Sequence, residues 1–340
     1  MTRGHECHRR PWLFLLVAVL VALVATACGS DADNESTTTA AAGGEETTTA
    51  TGGGETGDCG DVTINENSWV GSSANVYVAK HILENTYGCT VEVTKIAEIP
   101  AFQAMADGKV DVVLEDWQHT AEYAKYIEEQ AKVQDAGSLG VTGHIGWFVP
   151  TYVVDENPEL ATWEGLKEKA DLFKTSESGD KGQLLDGDPS YVTNDEALVK
   201  NLGLDLKVIY AGGEASQITS VQQAYKKKEP ILFYWYTPQW LNAELDLTEV
   251  TLPAYEEGCD ADLKAVKCAY PDYDLRKLMS TEFAESGSPA VDFVKAFEWG
   301  NDEQNDVAVA IAGEGMKPED AAAAWVEENA DKVEAWTGGA

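Results

Sequence analysis

The sequence predicts an α/β protein of two lobes with a ligand cleft between them, and three observations carry that expectation. Apolar strand-like runs alternate with helical periodicity along residues 58–146. The alternation restarts along 147–246. Aromatic side chains follow strand ends in both parts, and in open α/β sheets that edge is where ligands bind.

Taken in order, residues 61–67 read as a first strand and 71–85 as a helix, with Val76, Ala79, His81, Ile82 and Leu83 on its apolar positions; Trp69 lies in the turn between them. Residues 90–94 form a second strand, 100–107 a short helix and 110–114 a third strand, after which Trp117 precedes a helix over 120–132. A long strand over 143–154 crosses into the second lobe. There, helices at 163–169, 193–201 and 215–227 alternate with strands at 183–185 and 207–210. A buried parallel strand from Pro230 runs into Phe233-Tyr-Trp-Tyr-Thr and stops at Pro238, which cannot continue a ladder. Residues 247–252 are expected to return the chain to the first lobe, and the remainder is expected to be helical, with Pro318 suiting a helix start. Lobe 1 is thus 58–146 with 247–340, and lobe 2 is 147–246.

The first 57 residues are not part of this pattern. Arg3, Arg9 and Arg10 precede an apolar run over 12–25, and small residues lead to Cys28, the layout of a lipoprotein signal over 1–27 with Cys28 as the lipidated first residue. An uncleaved anchor is the rival reading, although the run is short for a membrane span. Residues 28–57 are Ser, Thr, Ala, Gly and acidic, a composition that cannot bury enough apolar surface to order itself and so predicts a disordered tether. The formal net charge is −35, and removing the signal takes away three Arg and one Glu. So acidic a chain is poorly suited to nucleic acid or an anionic membrane surface. The only arginine after the signal is Arg276. Cys59, Cys89, Cys259 and Cys268 remain in an exported chain, which reads as two disulfides. Cys59 and Cys89 each precede a strand, and Cys259 and Cys268 close a short loop, so these are the expected pairs. A zinc site would need closer cysteine spacing or more histidine, and no metal or cofactor is expected.

The chemistry of the aromatic edge is that of a cation without N–H donors, which ring faces hold at ~0.5–2 kcal/mol per desolvated contact. The alternative is that these rings are ordinary core. At this point the sequence resembles the glycine-betaine-binding family of substrate-binding proteins for ABC importers. The resemblance runs from about Asp58 to Trp336, on Ser68-Trp69, Leu114-Glu-Asp-Trp117, Gly146-Trp-Phe-Val-Pro, Gly187-Asp-Pro-Ser-Tyr191, Tyr234-Trp-Tyr-Thr-Pro-Gln-Trp240, Glu298-Trp-Gly-Asn-Asp and Ala323-Ala-Trp-Val-Glu-Glu-Asn. It implies a periplasmic-binding-protein-like fold of type II and an extracytoplasmic, lipid-anchored receptor at the outer face of the bacterial cell membrane. Such a receptor delivers glycine betaine or a related quaternary ammonium compound to an ABC permease. It also implies an aromatic cage on Trp69, Trp117 and Trp235, with backbone amides of the loop Asp188-Pro-Ser190-Tyr191 for the ligand carboxylate. His119 is a further candidate, closer to Trp117 than the family pattern places its histidine. Tyr236 is read as either a fourth wall or packing, and as packing if the strand persists, because it points opposite to Trp235.

The amides at the start of the 193–201 helix are a second candidate for the carboxylate. Glu115 and Asp116 beside Trp117 could instead favour a cation without a carboxylate, so choline, or carnitine, stays open. Trp147, Trp163, Trp240, Trp299, Trp325 and Trp336 are assigned to packing, and His81 and His144 to structure. An exported α/β hydrolase is the alternative of another class, but no nucleophile elbow, phosphate loop or His-Glu-x-x-His motif occurs, and no enzyme is predicted.

Overall fold

A computed structural model describes residues 59–191 and 193–338, so the expectations for the signal, the tether and Cys28 lie outside the described residues. Nine strands form one mixed sheet: β1 (Asp61–Asn65), β2 (Thr90–Thr94), β3 (Val112–Asp116), β4 (Val133–Pro150), β5 (Gly182–Asp186), β6 (Leu206–Tyr210), β7 (Phe233–Thr237), β8 (Leu247–Glu249) and β9 (Asp272–Ser280). Their order is β2-β1-β3-β9-β4-β7-β5-β6, with β8 added to β4.

The 18-residue β4 gives the sheet its two halves. Its first part pairs antiparallel with β9 from Val133↔Ser280 to His144↔Asp272. Its second part pairs antiparallel with β7 from His144↔Thr237 to Phe148↔Phe233. Parallel units flank it on either side, β2-β1-β3 in the first half and β7-β5-β6 in the second. The expected parallel strand at Phe233 is therefore parallel to β5 and antiparallel to β4.

Two expectations are corrected. Residues 272–280 are not helical but form β9, a central strand of the sheet. Its period-2 pattern was hidden because Lys277, fully buried among apolar neighbours, occupies a core position. Its ammonium donates to the carbonyls of Lys295 (2.9 Å) and Phe297 at the end of the helix Pro289–Ala296, where a cation is favoured, while burial lowers its pKa to about 8. Nor does the chain leave the second half at residue 247. Val250, Leu252, Val266, Cys268 and Tyr270 pack with Trp147, Leu184 and Leu206, so the return falls at β9.

Both faces of each half are covered by apolar clusters. In the first half Ile64, Leu83, Phe293, Trp299, Trp325 and Trp336 share one cluster, and Phe102, Met105, Tyr126 and Leu278 another. In the second half Trp147, Leu184, Tyr234 and Tyr236 pack on one face of β7, and Phe233, Trp235, Trp240 and Leu241 on the other. The parallel register Asp61↔Thr90 sets the Cys59–Cys89 disulfide beside it, with Cα atoms 4.9 Å apart. Cys259–Cys268 closes the loop before β9 at 6.4 Å.

Candidate functional site

The site is built around one buried carboxylate. Glu115, in β3 and 1% exposed, accepts Trp69 Nε1 (2.6 Å) and Trp117 Nε1 (3.1 Å) on Oε1. Its Oε2 accepts Asn75 Nδ2 (2.6 Å) and Gln304 Nε2 (3.3 Å). Four donors thus converge on a group that must otherwise be desolvated, and they fix the planes of two indoles from separate loops. Close approach is built in at two glycines. A Cβ at Gly71 would meet Gln304 Nε2 at 2.3 Å, and one at Gly143 would meet the Trp117 ring at 2.5 Å.

Trp69 stands at the N-cap of the helix Val70–Thr86, with extended backbone, and its ring packs into the second-half core against Tyr191, edge-on at 5.7 Å. Trp117 meets Tyr236 at 5.9 Å and Tyr273 at 5.5 Å, both edge-on. Tyr191 in turn tilts against Tyr234 at 6.2 Å. Rings from both halves of the sheet therefore share one cluster. A second buried carboxylate, Glu214, closes it from the other side, accepting the Tyr236 hydroxyl, Gln239 Nε2 (3.3 Å) and the backbone amide of Val70 (2.8 Å).

The structure brings together Trp69, Trp117, Tyr191 and Tyr236, and among the described ring contacts Trp235 meets this group through its chain neighbour Tyr236, rings tilted at 5.9 Å. Along β7 successive side chains alternate faces, and Trp235 points away from the cluster. It is fully buried against Phe233 (5.5 Å) and the Leu241 cluster, and its Nε1 donates to Asn242 Oδ1 (2.6 Å). Tyr236 thus lies on the face of β7 that carries Trp69 and Tyr234, and Trp235 on the face that carries Phe233 and Leu241.

The expected carboxylate acceptors are engaged within the chain itself. Ser190 N donates to Asp188 Oδ1 (2.8 Å) and Tyr191 N to Asp188 O (3.0 Å), so the loop amides are satisfied within the loop. At the start of the helix Asp195–Leu202 stand the chain's own buried Asp186 and Asp195. Asp195 Oδ1 accepts Trp147 Nε1 and Tyr270 Oη, both at 2.8 Å, and Asp186 accepts Gly187 N (2.7 Å) and Thr193 Oγ1 (3.0 Å).

His119 faces away from the rings as well. Its Nε2 lies 3.0 Å from Glu98 Oε2, and its ring stands edge-on to Phe102 at 6.3 Å. Glu98 Oε1 accepts the Trp117 amide (3.2 Å), so the histidine supports Trp117 from behind. Burial lowers the ring's pKa, but Glu98 and Asp116 outweigh it and raise it to about 9. Glu98, Asp116 and His119 are the grouping, among the described residues, with atoms close enough to hold a metal ion. A protonated His119 already supplies the cation that these two carboxylates need.

His144, half-buried between Asp272 Oδ1 (2.7 Å) and Glu249 Oε1 (2.9 Å), is structural. Arg276 is held by Asp135 (2.8 Å) and Asp274 (2.7 Å). Glu214, Tyr234 and Tyr273 were not singled out by the sequence. The signal in the sequence for Glu115 is its place two residues before Trp117.

Burial pushes the carboxyls of Glu115, Asp116, Asp186 and Asp195 up, to about 8, 7, 6 and 8. A carboxyl whose native pKa exceeds its unfolded value contributes fully below about pH 4, and that contribution is lost as pH rises through the native value. All four therefore weaken the fold between pH 5 and pH 8. The ligand-free protein is expected to melt at least ~5 °C lower at pH 8 than at pH 5. Equal midpoints in thermal denaturation would contradict these protonation states.

Comparison with known proteins places this geometry in context. The profile of the family described as the substrate binding domain of ABC-type glycine betaine transport system, OpuAC, matches residues 60–328. The trimethylamine N-oxide-binding protein of Pelagibacter ubique (strain HTCC1062) is 25% identical over 290 residues, covering 81% of this chain and 89% of that protein. Lactococcal OpuAC, crystallised closed with glycine betaine, superposes with a TM-score of 0.64 at 18% identity, over 82% of this chain and 99% of that one. An ABC-transporter choline binding protein in complex with choline gives 0.68 at 18% identity, over 83% and 92%. The fold is accordingly the two-lobed α/β fold of substrate-binding proteins, with the ligand cleft between the lobes, as the sequence predicts.

Proposed function

We propose, from the premise that this chain belongs to the family of substrate-binding domains of ABC-type glycine betaine transport systems, that its aromatic cluster takes a trimethylated ammonium solute lacking a carboxylate. Members of this family are extracytoplasmic solute receptors and not enzymes, which excludes the hydrolase reading. Among the described residues no helix is long and apolar enough to cross a membrane.

The observation that carries the ligand class is the charge around the rings. Trp69, Trp117 and Tyr236 offer faces to a cation with no N–H, while Glu214 adds a buried carboxylate beside Tyr236 and the Glu115 carboxyl, raised to about 8, holds both indoles in place. Arg276 is engaged by Asp135 and Asp274, and the loop amides of Ser190 and Tyr191 are used by Asp188, so neither group is left open for a ligand carboxylate. Choline fits this arrangement better than glycine betaine or carnitine. Trimethylamine N-oxide is a second reading, supported by the Pelagibacter ubique relative, and it too lacks a carboxylate.

Titration calorimetry with choline, trimethylamine N-oxide, glycine betaine, carnitine, dimethylglycine and proline tests the proposal. Choline is expected to bind near micromolar, about −8 kcal/mol, and glycine betaine at least about tenfold more weakly. Glycine betaine binding more tightly than choline would overturn the charge argument, and no binding by any trimethylated compound would overturn the function. Residues 1–57 supply the second part of the proposal: Cys28 carries lipid and tethers the receptor to the outer face of the membrane. Mass spectrometry of the membrane fraction is expected to find a diacylated N-terminal Cys28, and a soluble chain cut elsewhere would refute it.

A further inference from the structure

The start of the helix Val70–Thr86 is a joint between the halves. This 17-residue helix has no side-chain cap, since Trp69 makes no capping hydrogen bond, and no acidic residue in its first turn. Its positive end and free amides would suit an anion. The anion there is supplied across the cleft by the first residue of the helix Glu214–Lys227, which lies between β6 and β7: Glu214 Oε2 accepts Val70 N at 2.8 Å. Its Oε1 holds the Tyr236 hydroxyl and Gln239 Nε2 (3.3 Å), so one carboxylate joins the helix start, the ring that faces Trp117, and the second half. Glu214 is only 7% exposed, and Val70 packs beside it with Leu185, Phe233 and Leu241.

We infer that Glu214 is a specificity-determining residue, its carboxylate standing at the helix start where a ligand carboxylate could otherwise bridge the halves, so that it admits trimethylated solutes and disfavours those that bring a carboxylate of their own. The inference rests on the ligand class proposed above. It assigns the discrimination to one side chain, and it separates that role from the cage, whose rings grip the methyl groups common to all these ligands. Removing the charge while keeping the shape should therefore change the ranking of ligands more than the strength of the cage.

The experiment compares wild type with Glu214→Gln and Glu214→Ala, each checked for folding by circular dichroism, using choline and glycine betaine in titration calorimetry. Wild type is expected to prefer choline, and Glu214→Gln to narrow the ratio of the two dissociation constants at least tenfold, chiefly by improved binding of glycine betaine. Loss of affinity by the same factor for both ligands would show a closure contact with no role in selection, and would overturn the inference. A measurement on wild type alone stands beside the variants. The methyl ester of glycine betaine, which removes the ligand's negative charge, is expected to bind within about threefold of choline; an ester no better than glycine betaine itself overturns the inference whatever the variants do. Wild type that binds neither choline nor glycine betaine removes the premise, and that result is distinct from an unchanged ratio.

Discussion

Alanine at Trp69 or Trp117 is expected to weaken binding of a trimethylated ammonium ligand by ten- to hundredfold, and alanine at Tyr236 by at least tenfold. Each ring supplies a desolvated face worth ~0.5–2 kcal/mol to a cation, and truncating either indole also strips a donor from Glu115 Oε1. A buried carboxylate left under-satisfied attracts water or a proton into the site, so the indoles should cost more than the tyrosine. Phenylalanine at Trp69 or Trp117 retains a π-face but not the N–H to Glu115, and should fall between tryptophan and alanine. Dissociation constants from calorimetry, with the melting of each variant recorded beside them, give the comparison. Near-wild-type affinity in both tryptophan variants would end the cage assignment.

Trp235→Ala is expected to behave in the opposite way, losing stability rather than affinity. The side chain is fully buried with Phe233, Leu241, Val70 and Ala308, so truncation leaves a large cavity and deprives Asn242 Oδ1 of its donor. Tryptophan-to-alanine changes in such cores cost about 3–5 kcal/mol, which lowers the melting midpoint by on the order of 10 °C in a domain of this size. Below that midpoint the ligand should still bind within about threefold of wild type. Loss of binding in Trp235→Ala with an unchanged midpoint, together with normal binding in Tyr236→Ala, would mean that the faces of β7 are assigned the wrong way round.

In Phe233-Tyr-Trp-Tyr every member is large and aromatic and both faces of β7 are buried, so period-2 alternation separates Trp235 from Tyr236 without saying which face is the site. Strand β9 was missed for a related reason, because Lys277 interrupts the apolar stripe that would have announced it. The hydrogen bonds from Ser190 and Tyr191 to Asp188 were likewise invisible, since a sequence does not record whether an amide is free.

The sequence by itself determined the α/β alternation, both disulfide pairs, and the placement of Trp69 and Trp117 after strand ends, because these depend on local periodicity and on spacing between neighbouring elements. The tertiary structure alone decided that Glu115 grips both indoles, that Glu214 reaches across to Val70, and that β4 and β9 join the two halves in a single sheet. Those contacts link residues far apart in the chain, Val70 and Glu214 being separated by 144 positions, and are chosen by which buried donors and acceptors find one another once the sheet has closed.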